Sequence, residues 1–366
     1  MRALVVGGTG PTGPFIVNGL LERGYQVTIF HRGTHENPEI EHRVSHIHGD
    51  PHFRETIDDA LVGRTYDLVV ATYGRLRHLA AALQGRTPRF IGVGGVAIYR
   101  GFKEPERLRP PGLPVPTPET WPLVTGDDEL RFSQLMTQTE QAVFIAHPTA
   151  TMFRYPYVYG PHQLIPREWC FIRRIRDKRP FIIVPDGGLL LAAHGYAGNL
   201  AHAVLLAVDK PRESAGKAYN CGDERTLTLR QTIEMVADTM GERIELASLP
   251  NEAAKPSLPY TLHDHPHHWV MDISRIKDEL GYRDPLPVEQ ALPETVRWYL
   301  ENPPEAGGEI EQRLADPFDY ELEDRLVEIQ RRAHKELEAL VGQEGFARPH
   351  AYPHPKAPGE RDHRAR

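Results

Sequence analysis

The sequence predicts an α/β fold in which a doubly wound parallel sheet is followed by a smaller, mainly helical second lobe and a C-terminal helical extension. Three features of the chain predict this fold. Short apolar runs alternate with helical patterns over residues 1–160, a glycine-rich turn joins the first run to the first helix, and a long amphipathic pattern lies beyond residue 305.

Six short apolar runs predict the strands of the sheet, because parallel strands are buried on both faces. They lie at 3–6, 27–30, 44–48, 67–72, 90–93 and 150–154. Apolar residues spaced three and four apart predict the intervening helices, at 15–21, 57–62, 76–83 and 127–146. After residue 161 the alternation weakens, and we expect helices to dominate.

Composition divides the chain into four regions. Residues 1–160 form the first lobe, which includes a loop over 104–122 with seven prolines in nineteen residues, expected to be extended. Residues 161–304 form the second lobe, interleaved with the first. Residues 305–345 contain a helix predicted over 318–341, and residues 346–366 form a tail rich in proline, histidine and arginine that we expect to be flexible.

The predicted C-terminal helix carries one apolar stripe. Its members are Leu322, Leu326, Ile329, Ala333, Leu337 and Leu340. We favour packing of this stripe against the body of the same chain, and contact with a second copy in a homodimer is the alternative.

Composition also excludes several classes of protein. The chain has 366 residues and a net charge of −7, which argues against a general nucleic-acid binder. It has no apolar run long enough to span a membrane, and its N-terminus lacks a secretory signal pattern. Cys170 and Cys221 are too few for a disulfide framework, so we expect a cytoplasmic protein. The 19 histidines are expected to be scattered over the surface, and no metal site is predicted.

The glycine-rich turn predicts a dinucleotide site. Gly7, Gly10 and Gly13 follow the first strand and open the first helix, with Pro11 and Thr12 between the last two. The first glycine permits the tight turn, the second lets the backbone approach a pyrophosphate, and the third lets the helix pack closely on its strand. The exposed N–H groups at the start of the helix would hold the phosphates.

The end of the second strand indicates which dinucleotide binds. NAD sites usually place Asp or Glu there, whereas this chain has His31 and Arg32, with no acid before Glu36. An arginine can hold the 2′-phosphate of NADP through two hydrogen bonds. We therefore favour NADP(H) over NAD(H); the alternative is that Arg32 stacks on the adenine and does not discriminate.

Further cofactor contacts are expected where the other strands end. Parallel strands bring their carboxyl ends to one edge of the sheet, where such folds bind ligands. The residues expected there are Ala71, Thr72, Tyr73, Gly94 and Tyr155.

Several ordered motifs make residues 1–301 resemble the extended short-chain dehydrogenase/reductase superfamily, whose members have a Rossmann-type fold. The turn from Gly7 to Gly13 matches the family's glycine motif, and Gly49-Asp50 resembles its adenine-contacting pair. Residues 154–161 resemble the family's Arg-Pro-x-x-Val-Tyr-Gly-Pro motif, and residues 272–282 resemble its Asp-x-Ser-Lys and Leu-Gly-Tyr signature. The resemblance therefore implies that Asp50 contacts the cofactor.

The same resemblance shows where the chain departs from the family. The family's catalytic Tyr and Lys lie eight and four residues before a helical Glu, here Glu140, which places Phe132 and Met136 at those positions. The position of the catalytic Ser is Gly95. The chain therefore resembles an atypical branch without the Tyr-x-x-x-Lys motif. Val96 and Ala97 replace the Asp-Glu pair of nucleotide-sugar 4,6-dehydratases, so we do not expect that activity.

A displaced catalytic acid is the remaining source of a proton on this chain. Tyr99 and Lys103 have the Tyr-x-x-x-Lys spacing just past the fifth strand, and Tyr157 follows the sixth strand. We name these three as catalytic candidates. The alternative is that each phenol forms an aromatic wall of the pocket.

A histidine-rich segment over residues 263–269 allows two interpretations. Its alternating histidines could bind a metal ion, but Pro266 breaks their spacing and no second group of ligands is evident. We favour a role in lining the substrate pocket.

These observations predict an oxidoreductase that reduces a carbonyl or activated C=C of a small organic substrate. A redox-neutral epimerase, lyase or isomerase that retains its bound cofactor is one alternative. A dinucleotide-binding regulatory protein without turnover is another, and the acidic charge weighs against an RNA-binding version of it.

Overall fold

The computed structural model describes residues 1–33, 40–72, 74–126, 130–261, 265–341 and 355–361. The chain divides into two compact units, residues 1–319 and 320–366. The first unit contains both predicted lobes, whose mutual boundary at 160 stays a prediction. The second unit begins at Tyr320.

The first unit is built from short strands and helices. The strands are β1 (Arg2–Val6), β2 (Gln26–His31), β3 (Ser45–His48), β4 (Leu68–Ala71), β5 (Phe90–Gly95), β6 (Thr151–Tyr155), β7 (Tyr157–Tyr159), β8 (Phe181–Pro185), β9 (His194–Tyr196), β10 (Lys217–Asn220) and β11 (Glu245–Leu249). The helices are α1 (Gly13–Glu22), α2 (Arg54–Leu61), α3 (Leu76–Leu83), α4 (Arg131–Ala146), α5 (Glu168–Arg176), α6 (Ala197–Asp209), α7 (Leu229–Thr239), α8 (Leu258–Thr261), α9 (Ser274–Leu280), α10 (Val288–Glu301) and α11 (Glu309–Leu314).

The main sheet confirms the predicted doubly wound topology. Within the described residues it has seven strands in the order β10-β6-β5-β4-β1-β2-β3, and every neighbouring pair is parallel. The strand order reverses beside β1, where it is flanked by β2 and β4. In sheets of this kind the ligand crevice lies outside the carboxyl ends of the strands at that reversal.

The central strands of the sheet are buried on both faces, as their continuous apolar runs predicted. Ala3 and Val5 of β1 point into one core, with side chains of α1 and α6, while Leu4 and Val6 point into the other, with side chains of α2, α3 and α4. These four residues have no exposed surface, whereas Arg2 at the start of β1 is exposed. The alternating direction of side chains along a strand explains why one apolar run serves both cores.

The predicted strands and helices of the first lobe are confirmed with small shifts at their ends. The exception is the helix expected over 127–146: it begins at Arg131, and residues 127–129 lie outside the described part of the chain. The proline-rich loop over 104–122, expected to be extended, contains a 3-10 helix at Pro105–Arg107, and its later part is held in place by backbone hydrogen bonds. The N–H of Thr117 donates to the carbonyl of Val270, and the carbonyl of Thr117 accepts a hydrogen bond from the N–H of Asp272.

Residues 157–249 contain more strand than the sequence predicted. β10 extends the main sheet beside β6, β8 pairs with β11, and β7 pairs with β9, each pair parallel. Short apolar runs such as Phe181–Pro185 cannot be assigned to strand or helix by periodicity alone, and strand pairing decides them.

The second unit contains α12 (Tyr320–Val341), close to the predicted helix over 318–341. Its apolar stripe is largely exposed: Leu322 is 44%, Ile329 56%, Leu337 58% and Leu340 84% accessible. None of the helices within the described residues combines the length and apolar character needed to cross a bilayer.

Candidate active site

The glycine-rich turn has the backbone geometry that the spacing predicted. Gly7 has φ +90°, a left-handed conformation that favours glycine. Gly10 donates its N–H to the carbonyl of Gly7 at 3.2 Å, and Gly13 donates to that of Gly10 at 2.8 Å. A Cβ on Gly13 would lie 2.1 Å from the carbonyl oxygen of Gly8, so the turn and α1 can meet only if residue 13 has no side chain.

The N-terminal end of α1 can receive an anion. Thr12 precedes the helix and makes no side-chain capping hydrogen bond. The first N–H groups of a helix have no partners within it, and they carry partial positive charge. The turn and the uncapped helix therefore fit the pyrophosphate of a dinucleotide.

A cavity of about 240 Å³ lies against this turn. Eight residues predicted to bind the cofactor line it: Gly7, Gly10, Pro11, Thr12, His31, Arg32, Thr72 and Tyr155. Thr9, Gly33, Val93, Val158, Gln163 and Leu164 also line it, although they were not among the predicted cofactor contacts. We call this space the dinucleotide cavity.

The other predicted cofactor residues lie around this cavity or beyond it. Ala71 is the buried last residue of β4, and Gly94 lines a neighbouring cavity. Asp50 accepts a hydrogen bond from the His52 ring at 2.8 Å and does not line the dinucleotide cavity. Tyr73 lies outside the described residues.

Basic and neutral side chains surround the end of β2. His31 is buried and Arg32 is exposed, and both line the dinucleotide cavity. Among the described residues that line it, none is an aspartate or a glutamate.

A second cavity, of about 430 Å³, shares Val93 with the first. Gly95, Phe132 and Met136 all line it, so the fold brings together the three positions that the resemblance assigned to Ser, Tyr and Lys. A Cβ on Gly95 would lie 3.1 Å from the terminal methyl of Met136. We call this space the ring cavity.

Charged groups in the ring cavity are arginines and one paired carboxylate. Arg75 and Arg77 lie on its wall, as does Glu140. Glu140 forms a buried ion pair with Arg154, at 2.6 Å between Oε1 and Nη2. The part of its lining that the structure describes contains no phenol and no ammonium.

Tyr99 lies at the centre of a buried polar network. Its hydroxyl donates to Oδ1 of Asn220 at 2.6 Å and accepts from Nη1 of Arg154 at 2.8 Å. Burial raises the pKa of Tyr99 to about 12. The Lys103 ammonium lies 5.7 Å from the centroid of the Phe102 ring, and burial, followed by repulsion from Arg167, lowers its pKa.

Tyr157 lies in a different setting, at the start of β7. Arg167 stacks over its ring at 4.3 Å and donates from Nη2 to its hydroxyl at 2.5 Å. The ring also packs near His194 and Trp269, at centroid distances of 5.9 and 6.1 Å. Burial raises the pKa of Tyr157, and the charge of Arg167 offsets part of that rise.

His194 and Glu168 line two small cavities in the second lobe near Tyr157. Burial lowers the pKa of His194 to about 4, so the ring is neutral at pH 7 and donates from Nδ1 to the carbonyl of Ala192 at 2.8 Å. Burial raises the pKa of Glu168 to about 7. The sequence carries no local signal for these residues, because Arg167 and Glu168 lie at the start of α5, His194 begins β9, and no motif links the two elements.

The histidine-rich segment contributes one side chain to these cavities. Trp269 is buried and lines the cavity beside Arg167, which agrees with a role in lining a pocket. His267 contacts Oε1 of Glu106 at 3.1 Å, and His268 accepts the N–H of Leu191 at 3.0 Å. His263 and Asp264 lie outside the described residues.

Comparisons with known proteins identify the architecture. Over 83% of this chain and 97% of the other, the structure superposes on dTDP-glucose 4,6-dehydratase of Bacillus anthracis in complex with NAD, with a TM-score of 0.62 and 18% identity. UDP-glucose 4-epimerase of Thermotoga maritima shares this fold, with a TM-score of 0.65 and 17% identity over 82% of this chain and 99% of the other. These superpositions confirm the predicted Rossmann-type fold.

Two relatives match most of this chain by sequence. One is the chloroplast stem-loop binding protein of 41 kDa b of Arabidopsis thaliana, 22% identical over 80% of this chain and 77% of the relative. The other is the 4-hydroxy-2-methyl-3-oxo-4-farnesyl-3,4-dihydroquinoline-1-oxide ketoreductase of Stigmatella aurantiaca, 25% identical over 70% of this chain and 78% of the relative. No protein-family model matches the sequence.

Proposed function

We propose that this protein is an NADP(H)-dependent oxidoreductase that reduces a carbonyl or an activated C=C of a small organic molecule, in the cytoplasm, without the usual Ser-Tyr-Lys relay. The observation that carries the proposal is the pair of adjoining cavities. One meets the glycine-rich turn, and the other is lined by Gly95, Phe132 and Met136.

The dinucleotide cavity supports binding of NADP(H). The turn from Gly7 to Gly13 and the uncapped start of α1 would hold the pyrophosphate. Arg32 would meet the 2′-phosphate, for which an acidic lining would be repulsive. Bound NADPH would supply the hydride.

The ring cavity favours reduction over redox-neutral chemistry. An epimerase or dehydratase must move protons at more than one step, which requires positioned acids and bases. A reductase needs one proton, and water or a nearby phenol can provide it. Phe132 and Met136 cannot transfer protons, so they would only shape the cavity around the reacting carbon.

Tyr157 is the better of the two phenols as a proton donor. Arg167 holds its hydroxyl and favours the phenolate that remains once the proton has left. The Tyr99 hydroxyl is already committed to Asn220 and Arg154, so its proposed role is to position Arg154. The reductase relative from Stigmatella aurantiaca adds support for this reaction class.

Absorbance of NADPH tests the proposal. The purified protein is mixed with NADPH and a panel of ketones, aldehydes and enones, and the loss of reduced cofactor is followed. Sustained consumption with at least one compound is expected. A tightly bound cofactor that never changes its redox state would instead support the redox-neutral alternative. Saturable binding of NADPH without any turnover would support a regulatory protein.

A second candidate function is RNA binding by a dinucleotide-binding scaffold. The observation in its favour is the long match to a protein named for stem-loop binding. The net charge of −7 weighs against it. Retention of a stem-loop RNA at physiological salt, unaffected by NADPH, would favour this candidate.

A further inference from the structure

Three histidines meet at the edge of the main sheet. His31 is the last residue of β2 and is the direct register partner of His48 on β3. His46 lies two residues before His48, so both β3 side chains point to the same face. Strand pairing and strand periodicity therefore place all three rings together.

The three rings are close enough to share one ion. Nε2 of His31 lies 2.9 Å from Nδ1 of His46, and the ring centroids are 5.0–6.1 Å apart. One ring nitrogen from each histidine lies within 4.8 Å of the other two. Among the described residues this is the one group of three or more potential metal ligands at such distances.

Gly33 leaves room for this arrangement. It has φ +77°, and a Cβ there would lie 3.3 Å from Cδ2 of His48, which is tighter than ordinary contact. The N–H of Gly33 donates to Nδ1 of His31 at 3.3 Å, so the neutral His31 ring carries its proton on Nε2, facing His46. The imidazole–imidazole hydrogen bond holds the cluster together.

The geometry points to a binding site for one divalent transition-metal ion, with Zn²⁺ as the type case, held by His31, His46 and His48. Imidazole is a preferred ligand of such ions, and three histidines leave a fourth position for water. His48 is exposed, so an ion can reach the cluster from its side. This proposal does not depend on the function proposed above.

Small movements complete the site. With metal–nitrogen distances of about 2.0–2.1 Å, two tetrahedral ligand atoms lie about 3.3 Å apart. The nitrogens of His31 and His46 must therefore separate slightly from 2.9 Å, and the His48 ring must turn inward. The His31 proton moves to Nδ1, at the cost of its long hydrogen bond from Gly33.

Titration with Zn²⁺ tests the site. The full chain, without an affinity tag and stripped with a chelator, is titrated with Zn²⁺ alone in a calorimeter. One saturable site per chain is expected, weakened about 100-fold or more in His46→Ala and His48→Ala. His267→Ala, a histidine of the other histidine-rich segment, is the matched control and should bind like wild type.

Three outcomes of the titration would overturn the proposal. The wild type could lack a saturable site, the site could keep its affinity in His46→Ala or His48→Ala, or it could be lost in His267→Ala. Thermal melting checks that the variants fold, which is expected because His48 is exposed on an edge strand. Electron paramagnetic resonance of the Cu²⁺-loaded wild type identifies the ligand atoms without the need for a variant. Nitrogen ligands would support the site, and oxygen ligands alone would contradict it.

Discussion

Tyr157 and Tyr99 both follow strands of the main sheet, but their hydrogen-bond partners suit them to different roles. Among the described residues, the Tyr157 hydroxyl has one hydrogen-bond partner, Arg167, which donates to it and leaves the hydroxyl proton available. The Tyr99 hydroxyl both donates and accepts inside a buried ion-pair network. Sequence spacing could nominate both phenols, but only their hydrogen-bond partners separate a donor from a positioning group.

Substitution by phenylalanine tests this difference. Tyr157→Phe is expected to lower kcat by about tenfold or more, because a positioned acid is lost. Tyr99→Phe is expected to lower the free energy of unfolding by about 1–2 kcal/mol, because a buried network loses its central hydroxyl. Steady-state kinetics and urea unfolding measure the two effects. Unchanged turnover in Tyr157→Phe would remove it as the acid.

Substitution of Arg32 tests whether the protein prefers NADP(H) to NAD(H). Arg32→Ser is expected to weaken NADPH binding about tenfold to a hundredfold, since a charge-assisted hydrogen bond contributes about 1.5–3 kcal/mol. NADH binding should hardly change. Fluorescence titration with both cofactors measures this, and Arg43→Ser, which removes an exposed arginine bonded to Asn18, serves as the control. Equal losses for both cofactors would show that Arg32 does not discriminate.

At the scale of elements, the turn between β1 and α1 was predictable because its requirements are local. Backbone conformation and close packing restrict residues 7 and 13 to glycine, and that leaves a signal in the sequence. The pocket of the second lobe was not predictable. Tyr157 lies on β7, His194 on β9 and Arg167 just before α5, and only the fold brings them together.

Two alanine substitutions separate the roles of the glycines. Gly13→Ala puts a Cβ 2.1 Å from the Gly8 carbonyl, so we expect it to destabilise the protein by about 3 kcal/mol and to abolish cofactor binding. A Cβ on Gly10 meets only the Gly7 carbonyl at 3.8 Å, so Gly10→Ala should keep its stability and still lose NADPH affinity. Urea unfolding and fluorescence titration report both quantities. Normal NADPH binding by Gly10→Ala would contradict a backbone approach to the phosphates.

For the molecule as a whole, a buried acid couples stability to pH. Burial raises the pKa of Glu168 from 4.5 to about 7, so between these values the native state holds a proton that the unfolded chain releases. Its contribution to stability therefore falls as the pH rises through this range. Glutamine imitates the protonated acid and removes the effect.

Glu168→Gln is accordingly expected to gain stability relative to wild type as the pH rises from 4.5 to about 7. The gain should reach on the order of 3 kcal/mol. Urea unfolding of both proteins across this range measures it, with Glu234→Gln, an exposed glutamate on α7, as the control. A difference that is constant with pH would mean that Glu168 ionises normally.

The whole-molecule architecture was the most predictable level, because alternating apolar runs and a single glycine-rich turn determine a doubly wound sheet. The extra strands after residue 156 were not predictable, since strands as short as β7 and β9 depend on pairing with each other. The ring cavity depends on the same long-range assembly: Gly95 and Met136 are distant in sequence and meet where α4 packs against β5.

Transfer of deuterium from NADPH tests the central claim most directly. The protein is incubated with NADPH deuterated at the transferring carbon and with the carbonyl and enone panel, and products are analysed by mass spectrometry. We expect one deuterium in the reduced product for each NADP⁺ formed, in the wild type and in a Phe132→Leu variant alike. Deuterium that remains on the cofactor, with no NADP⁺ formed, would contradict the proposed reduction.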